Sequence, residues 1–77
     1  MPNGLFNWTF RDIEKVLKSA GFVYTHAQGS HYFYRGVVRS VIRIVQVPYH
    51  GSNAVIKPKT VKGIIAQSSM NKKKWGI

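Results

Sequence analysis

The middle of the chain carries three short runs that are rich in β-branched and aromatic residues and are separated by turn signals. The runs are residues 22–26, 30–35 and 41–47. Each has the length and composition of a strand. Gly29 supplies the positive φ of a tight turn, Gly36 is expected to begin the next turn, and Pro48 to end the third strand. Short strands joined by short turns pair antiparallel, so the sequence predicts a three-stranded antiparallel sheet.

Two amphipathic segments flank this predicted sheet. Residues 9–20 carry an apolar stripe at helical spacing, formed by Phe10, Ile13, Val16, Leu17 and Ala20. Thr9 and Asp12 have the spacing of a capping box, and Gly21 is the expected left-handed stop. A second helix is predicted from Pro58, with a stripe formed by Val61, Ile64, Ile65 and Ser68. The order α-β-β-β-α predicts an α+β fold in which two helices cover one face of the sheet and the other face is open.

The length of 77 residues predicts a single domain, residues 1–77. Its core is expected over about residues 9–69, with a basic, loosely ordered tail over 70–77. The chain has no cysteine, so thiolate ligands and disulfides are excluded. The sequence shows neither a signal peptide nor a membrane-spanning stretch, and a cytoplasmic location is the expectation.

The charge of the chain restricts its partners. Twelve Lys and Arg residues stand against Asp12 and Glu14, which gives a net charge of +10. Small domains usually need a net charge of only about 2–8 to stay soluble. The excess therefore predicts a polyanionic partner, either a nucleic acid or an acidic protein.

The second predicted strand carries the residues that suggest chemistry. Side chains alternate along a strand, so His31, Phe33 and Arg35 share one face, and Ser30, Tyr32 and Tyr34 share the other. The first set is the more polar, so it is assigned to the open face. By itself, His31 would be interpreted as a strand histidine that makes one ordinary hydrogen bond. Ser30 points away from His31, which argues against a serine nucleophile activated by that histidine.

Four segments resemble the HicA family of bacterial toxins. RDIEKVLKSAGF (11–22) is similar to the family's first helix, and GSHYFYR (29–35) has its Gly-Ser-His signature followed by a tyrosine three residues later. VPYH (47–50) matches its Val-Pro-x-His, and IKPKTVKGIIAQ (56–67) resembles its second helix. The chain departs from the pattern in GVVRSV, before the third strand, and in SSMN, where a glycine usually ends the second helix.

The resemblance implies a double-stranded-RNA-binding-domain-like fold and a metal-independent endoribonuclease without cofactors. Such a toxin cleaves mRNA, inhibits translation and is neutralised by an acidic HicB-type antitoxin. His31 is then the catalytic histidine, since histidine exchanges protons near neutral pH. Auxiliary roles are assigned to His50, Arg35 and Tyr32, motif or structural roles to Gly29, Ser30 and Tyr34, and RNA contacts to Lys57, Lys59 and Lys62. His26 matches no motif and is expected to be structural or solvated.

Two other classes remain open at this point. A non-catalytic RNA-binding module of the same fold would contact phosphates through Lys57, Lys59 and Lys62. A DNA-binding or protein-interaction domain would use its basic face without a preference for RNA. A metal site is not expected, because the histidines and the two carboxylates lack the usual ligand spacing.

Overall fold

The computed structural model describes residues 4–77, so the first three residues of the predicted domain lie outside the described part. The elements are α1 (Phe10–Ser19), β1 (Val23–Gln28), β2 (His31–Val38), β3 (Val41–Pro48), α2 (Pro58–Ser68) and a short 3₁₀ helix (Lys72–Trp75). The strands form one antiparallel sheet in the order β1-β2-β3. This arrangement confirms the predicted α+β fold with its α-β-β-β-α order.

Helix α1 begins and ends as its sequence predicts. The backbone N–H of Thr9 donates to Asp12 Oδ2 at 3.1 Å, and that of Asp12 donates to Thr9 Oγ1 at 3.2 Å. These two bonds form a capping box, which satisfies amides that the first turn leaves free. Gly21 has φ +89°, and the N–H of Phe22 donates to Leu17 O at 2.9 Å. The chain therefore leaves α1 directly into β1.

Both helices pack on one face of the sheet. The sheet contributes Tyr34, Val45 and Val47, all fully buried, to a core that also contains Phe10, Ile13, Val16 and Leu17 of α1 and Val61, Ile64 and Ile65 of α2. The opposite face of the sheet is uncovered in the described part of the chain. No helix within residues 4–77 has the length and apolar character needed to cross a membrane.

The second turn lies further along the chain than predicted. Strand β2 continues through Gly36 to Val38, and the turn is formed by Arg39 and Ser40, with φ +50° and +66°. Positive φ at both central residues is the pattern of a type I′ turn, which usually selects asparagine and glycine. Arg39 Nη2 donates to Ser69 O at 2.9 Å, which ties this turn to the end of α2.

Gly36 is required by packing rather than by a turn. The ring of Phe22 lies over its backbone, and a Cβ built on Gly36 would approach three ring atoms to within 2.7–2.8 Å. Such an approach is closer than packed carbon atoms allow. Phe22 is itself buried. The glycine therefore lets the end of α1 close over the sheet.

Two glycine-to-alanine variants are expected to change stability in opposite directions. Gly36→Ala should destabilise the fold by about 1–3 kcal/mol, because the new methyl group overpacks against Phe22. Gly63→Ala, inside α2 with nothing within 4 Å of its Cβ position, should stabilise it by up to about 1 kcal/mol. Urea unfolding of both variants and wild type measures the difference. A Gly36→Ala protein as stable as wild type would contradict the packing described here.

The segment after α2 is more ordered than the expectation of a loose tail. Residues Lys72–Trp75 form a 3₁₀ helix, in which Asn71 Oδ1 accepts from the N–H of Lys73 at 2.9 Å. Trp75 is fully buried and packs edge-to-face against Trp8, with ring centroids 5.7 Å apart. The hydrophobic core therefore extends at both ends beyond the predicted residues 9–69.

Candidate active site

The open face of the sheet carries a row of side chains from β2. The antiparallel register places His31 opposite Gln28 and Pro48, Phe33 opposite His26 and Gln46, and Arg35 opposite Val23 and Ile44. Directly opposed residues share a face. His31 and Arg35 are exposed and Phe33 is half-buried, whereas Tyr34 on the other face is fully buried. The predicted division of β2 into two faces agrees with this arrangement.

His31 lies at the edge of an open groove between the sheet and α2. The groove has a volume of about 320 Å³ and is lined by His31, Gln46, Pro48, Thr60, Gly63, Ile64 and Gln67. Gln67 Oε1 accepts from the backbone N–H of Gln46 at 2.9 Å, which holds α2 beside the outer strand β3. An extended ligand lying across the open sheet would thus reach His31 and then meet α2.

His50 lies in an adjoining groove of about 210 Å³, which Pro48 and Thr60 share with the first. Lys57, the residue before the first turn of α2, also lines it. The loop that carries His50 is anchored at both ends, because Tyr49 N–H donates to Ser30 O at 2.6 Å and Ile56 N–H donates to Trp8 O at 2.7 Å. His31 and His50 thus line two neighbouring grooves that meet at Pro48.

The Gly-Ser pair of the motif shapes the backbone next to His31. Gly29 has φ +59° in the two-residue turn between β1 and β2. Ser30 accepts the hydrogen bond from Tyr49 through its carbonyl oxygen, so its backbone joins this turn to the His50 loop. The pair thereby connects the two histidine-bearing segments.

Tyr32 and Tyr34 lie on the helix-covered face, away from His31. Tyr32 is half-buried, and its ring stacks on Tyr49 at 4.7 Å and meets Phe10 edge-to-face at 5.2 Å. The hydroxyl of Tyr34 donates to Glu14 Oε2. Burial, together with this hydrogen bond, raises the pKa of Tyr34 above its ordinary value, so the phenol stays protonated near neutral pH.

Two of the three lysines predicted to contact RNA line different clefts. Lys57 lines the His50 groove. Lys62 instead lines a separate apolar cleft, with Leu5, Ile65, Ala66, Lys72 and Ile77. Lys59 is exposed on α2. Of the three, Lys57 is thus the residue placed beside a histidine.

Electrostatics favour an anionic ligand on the open face. The two carboxylate side chains of the sequence both belong to α1. Asp12 is bound in the capping box, and Glu14 accepts from Tyr34 and lies 3.6 Å from Lys18 Nζ. Neither lies on the open face that carries His31 and Arg35. Within residues 4–77, no three histidine or carboxylate side chains cluster as metal ligands do.

The open face also carries exposed apolar side chains at its end remote from His31. They are Val23, Val37, Ile42 and Ile44, each more than half exposed. Their register places them beside and beyond Arg35. Contiguous apolar residues left exposed on a sheet commonly mark a protein interaction surface.

Sequence reasoning missed His26, which lies on the same open face. Its ring stacks on Phe33 with centroids 4.4 Å apart and an interplanar angle of 6°. Regular alternation would have paired His26 with Tyr32 on the covered face. A β-bulge between Tyr24 and His26 shifts the register by one residue. The sequence of β1 (Val23–Gln28) gives only a weak signal for this bulge, because apolar and polar residues do not alternate clearly along it.

Comparison with known families agrees with the arrangement of these motifs. The family model described as the HicA toxin of bacterial toxin–antitoxin systems matches residues 10–70, a segment that contains both helices and all three strands. No curated protein and no solved structure matches the chain significantly. The family match covers well over half of the 77 residues. The chain therefore belongs to the HicA family and is the toxin component of a bacterial toxin–antitoxin system.

Proposed function

We propose that this toxin is an endoribonuclease that cleaves mRNA in the bacterial cytoplasm and thereby inhibits translation, with His31 as a catalytic proton-transfer group. The observation that carries the proposal is the exposed position of His31 at a groove on a face that holds no carboxylate. RNA supplies its own nucleophile, the 2′-OH, so proton transfer and charge neutralisation are sufficient for cleavage. Neither requires a metal ion or an organic cofactor.

The neighbouring residues suit different parts of an RNA strand. Arg35 lies four residues along β2 from His31, or about 13 Å at 3.3 Å per residue, so it contacts a different phosphate from the one that reacts. Phe33, between them, offers a ring on which an unpaired base stacks. His50 and Lys57 line the groove beyond Pro48 and contact the backbone there. Tyr32 acts indirectly, because its stack on Tyr49 supports the loop that carries His50.

The antitoxin is proposed to be an acidic, HicB-type protein that covers this face. The exposed Val23, Val37, Ile42 and Ile44 supply apolar area next to Arg35. The net charge of +10 speeds the capture of an acidic partner. A protein bound to this patch and extending towards His31 would block RNA access directly.

The second candidate is a non-catalytic RNA-binding module, favoured by the same basic surface. It requires phosphate contacts but no proton transfer, so RNA would remain intact. A DNA-binding domain would show no preference for RNA over DNA of the same sequence. Cleavage and nucleic-acid preference separate these candidates.

The test is incubation of the purified protein with single-stranded RNA in EDTA, followed by mapping of the product ends. The expected products carry 2′,3′-cyclic phosphate and 5′-OH ends, since the 2′-OH is the nucleophile. DNA of the same sequence has no 2′-OH and should stay intact. RNA that remains whole while binding the protein would overturn the ribonuclease proposal and leave the binding module.

A further inference from the structure

A β-bulge places His26 beside His31 on the open face. Tyr24 pairs with Tyr34 and His26 with Phe33, so Thr25 is the extra residue of the bulge. Bulges often re-aim a side chain next to an active site, and they cost part of the ladder hydrogen bonding. Here the bulge moves an imidazole from the covered face to the face that carries His31.

The hydrogen bonds of Thr25 determine which nitrogen of His26 carries the proton. Thr25 Oγ1 donates to Phe33 O at 3.2 Å, and the same oxygen lies 3.0 Å from His26 Nδ1. A hydroxyl has a single proton to donate. Oγ1 must therefore accept from Nδ1–H, so Nε2 of the neutral ring holds the lone pair. The stack on Phe33 fixes the plane of the ring.

The strand register places the ring of His26 diagonally across from His31. His26 opposes Phe33, and His31 is two residues before Phe33 on the same face. Such diagonal neighbours lie about 7–8 Å apart. In RNA cleavage the attacking 2′-oxygen and the leaving 5′-oxygen lie on opposite sides of the phosphorus, so one imidazole cannot reach both at once. Two imidazoles at this spacing can flank one phosphate.

We propose that His26 is the general base of the ribonuclease and that His31 is its general acid; this rests on the function proposed above. His26 Nε2 takes the proton of the 2′-OH, and the 2′-oxygen forms a bond to phosphorus. The bond from phosphorus to the 5′-oxygen breaks, and that oxygen takes a proton from the His31 imidazolium. The products are a 2′,3′-cyclic phosphate and a 5′-OH, with both histidines left in exchanged protonation states.

Few other titratable side chains of the described residues surround His26 and His31. In the described part of the chain, His31 and Arg35 are the titratable side chains of β2 that share the open face with His26. On that face β3 contributes Ile42, Ile44, Gln46 and Pro48. From the covered side, α2 contributes Thr60, Gly63, Ile64 and Gln67 to the groove that His31 lines. None of these eight residues titrates. His50 lies beyond Pro48 and serves phosphate binding.

The first test is the pH dependence of kcat/KM for His26→Ala. Wild type should show a bell-shaped profile, because the base must be neutral and the acid protonated. His26→Ala should lower kcat/KM by about 10²-fold or more and lose the acidic limb, with RNA affinity unchanged. Gln28→Ala, on the same strand and face, is the matched control. An unchanged rate and profile in His26→Ala would overturn the assignment while leaving wild-type cleavage intact. Wild type that leaves RNA whole would overturn both proposals.

The second test assigns the two roles with an RNA that has sulfur in place of the bridging 5′-oxygen. A thiolate leaves without a proton, so this substrate should restore cleavage by His31→Ala and not by His26→Ala. The reverse pattern would overturn the assignment of base and acid.

The third test addresses Thr25 as a positioning residue. Thr25→Val should lower kcat/KM by about tenfold, as the loss of an orienting partner commonly does, and Thr25→Ser should restore it. Long-range ¹H–¹⁵N spectra should show His26 protonated at Nδ1 in wild type and lose that preference in Thr25→Val. Equal spectra for both proteins would contradict the inferred tautomer.

Discussion

His31→Ala is expected to lower the rate of RNA cleavage by about 10²- to 10⁴-fold, the usual contribution of one positioned acid or base. The imidazole is exposed at the groove, while Gln28 and Pro48 opposite it have no ionisable group. Neither of these two side chains can therefore take over the proton transfer. Because the side chain is exposed, alanine should leave the fold and RNA binding nearly intact. Single-turnover cleavage in EDTA, with affinity measured separately, gives both quantities.

Ser19→Ala provides the control for the His31 experiment, since Ser19 is exposed on α1, on the other side of the sheet. It should cleave at the wild-type rate. Wild-type activity in His31→Ala would remove His31 from the mechanism, even if the protein proved to be a ribonuclease. A loss of RNA binding in His31→Ala would instead assign the histidine to substrate affinity.

Trp75→Ala is expected to destabilise the protein by about 3–5 kcal/mol, the usual cost of emptying a buried aromatic site. The ring is fully buried against Trp8. Small domains have only about 5–15 kcal/mol of total stability, so the variant should unfold at a much lower urea concentration. Trp75→Phe should lose less stability than Trp75→Ala, because phenylalanine keeps an aromatic ring in the core. It also removes the buried Nε1–H of Trp75, which has no hydrogen-bond partner within residues 4–77.

Neutralising Lys73 provides the matched control for the Trp75 variants. Lys73→Ala changes the same 3₁₀ helix at an exposed side chain, so its effect should stay within about 0.5 kcal/mol. Urea midpoints and slopes of the four proteins test the difference. A Trp75→Ala protein with the wild-type midpoint would show that the ring contributes nothing to the core.

Local signals in the sequence were sufficient for α1 and for the order of the elements. Thr9, Asp12 and Gly21 act within one or two turns of the chain, so their pattern specifies the ends of the helix without knowledge of the rest. The alternation in β2 likewise placed His31 and Arg35 on the open face. These features depend only on residues that are close together in the sequence, so they can be predicted from the sequence alone.

Features that depend on distant contacts could not be predicted. Gly36 was expected to begin a turn. It is a glycine because the ring of Phe22, which lies outside strand β2, packs over its backbone, and the residues next to Gly36 give no sign of that contact. Trp75 resembled part of a solvated lysine tail because its partner, Trp8, lies 67 positions away. The face of His26 depends on a bulge, which is a property of how two strands pair. The sequence reasoning therefore identified one histidine of the proposed pair and missed the other.

The bulge at Thr25 has a second consequence, for self-association. β1 is an outer strand with all six residues exposed, and such a strand is a template on which another copy can add its own strand. An extra residue breaks the regular spacing of hydrogen-bonding groups and increases the local twist. The other outer strand, β3, is partly covered by α2, because the backbone N–H of Gln46 already donates a hydrogen bond to the side chain of Gln67. The irregularity that presents His26 thus also makes the exposed edge a poor site for strand addition.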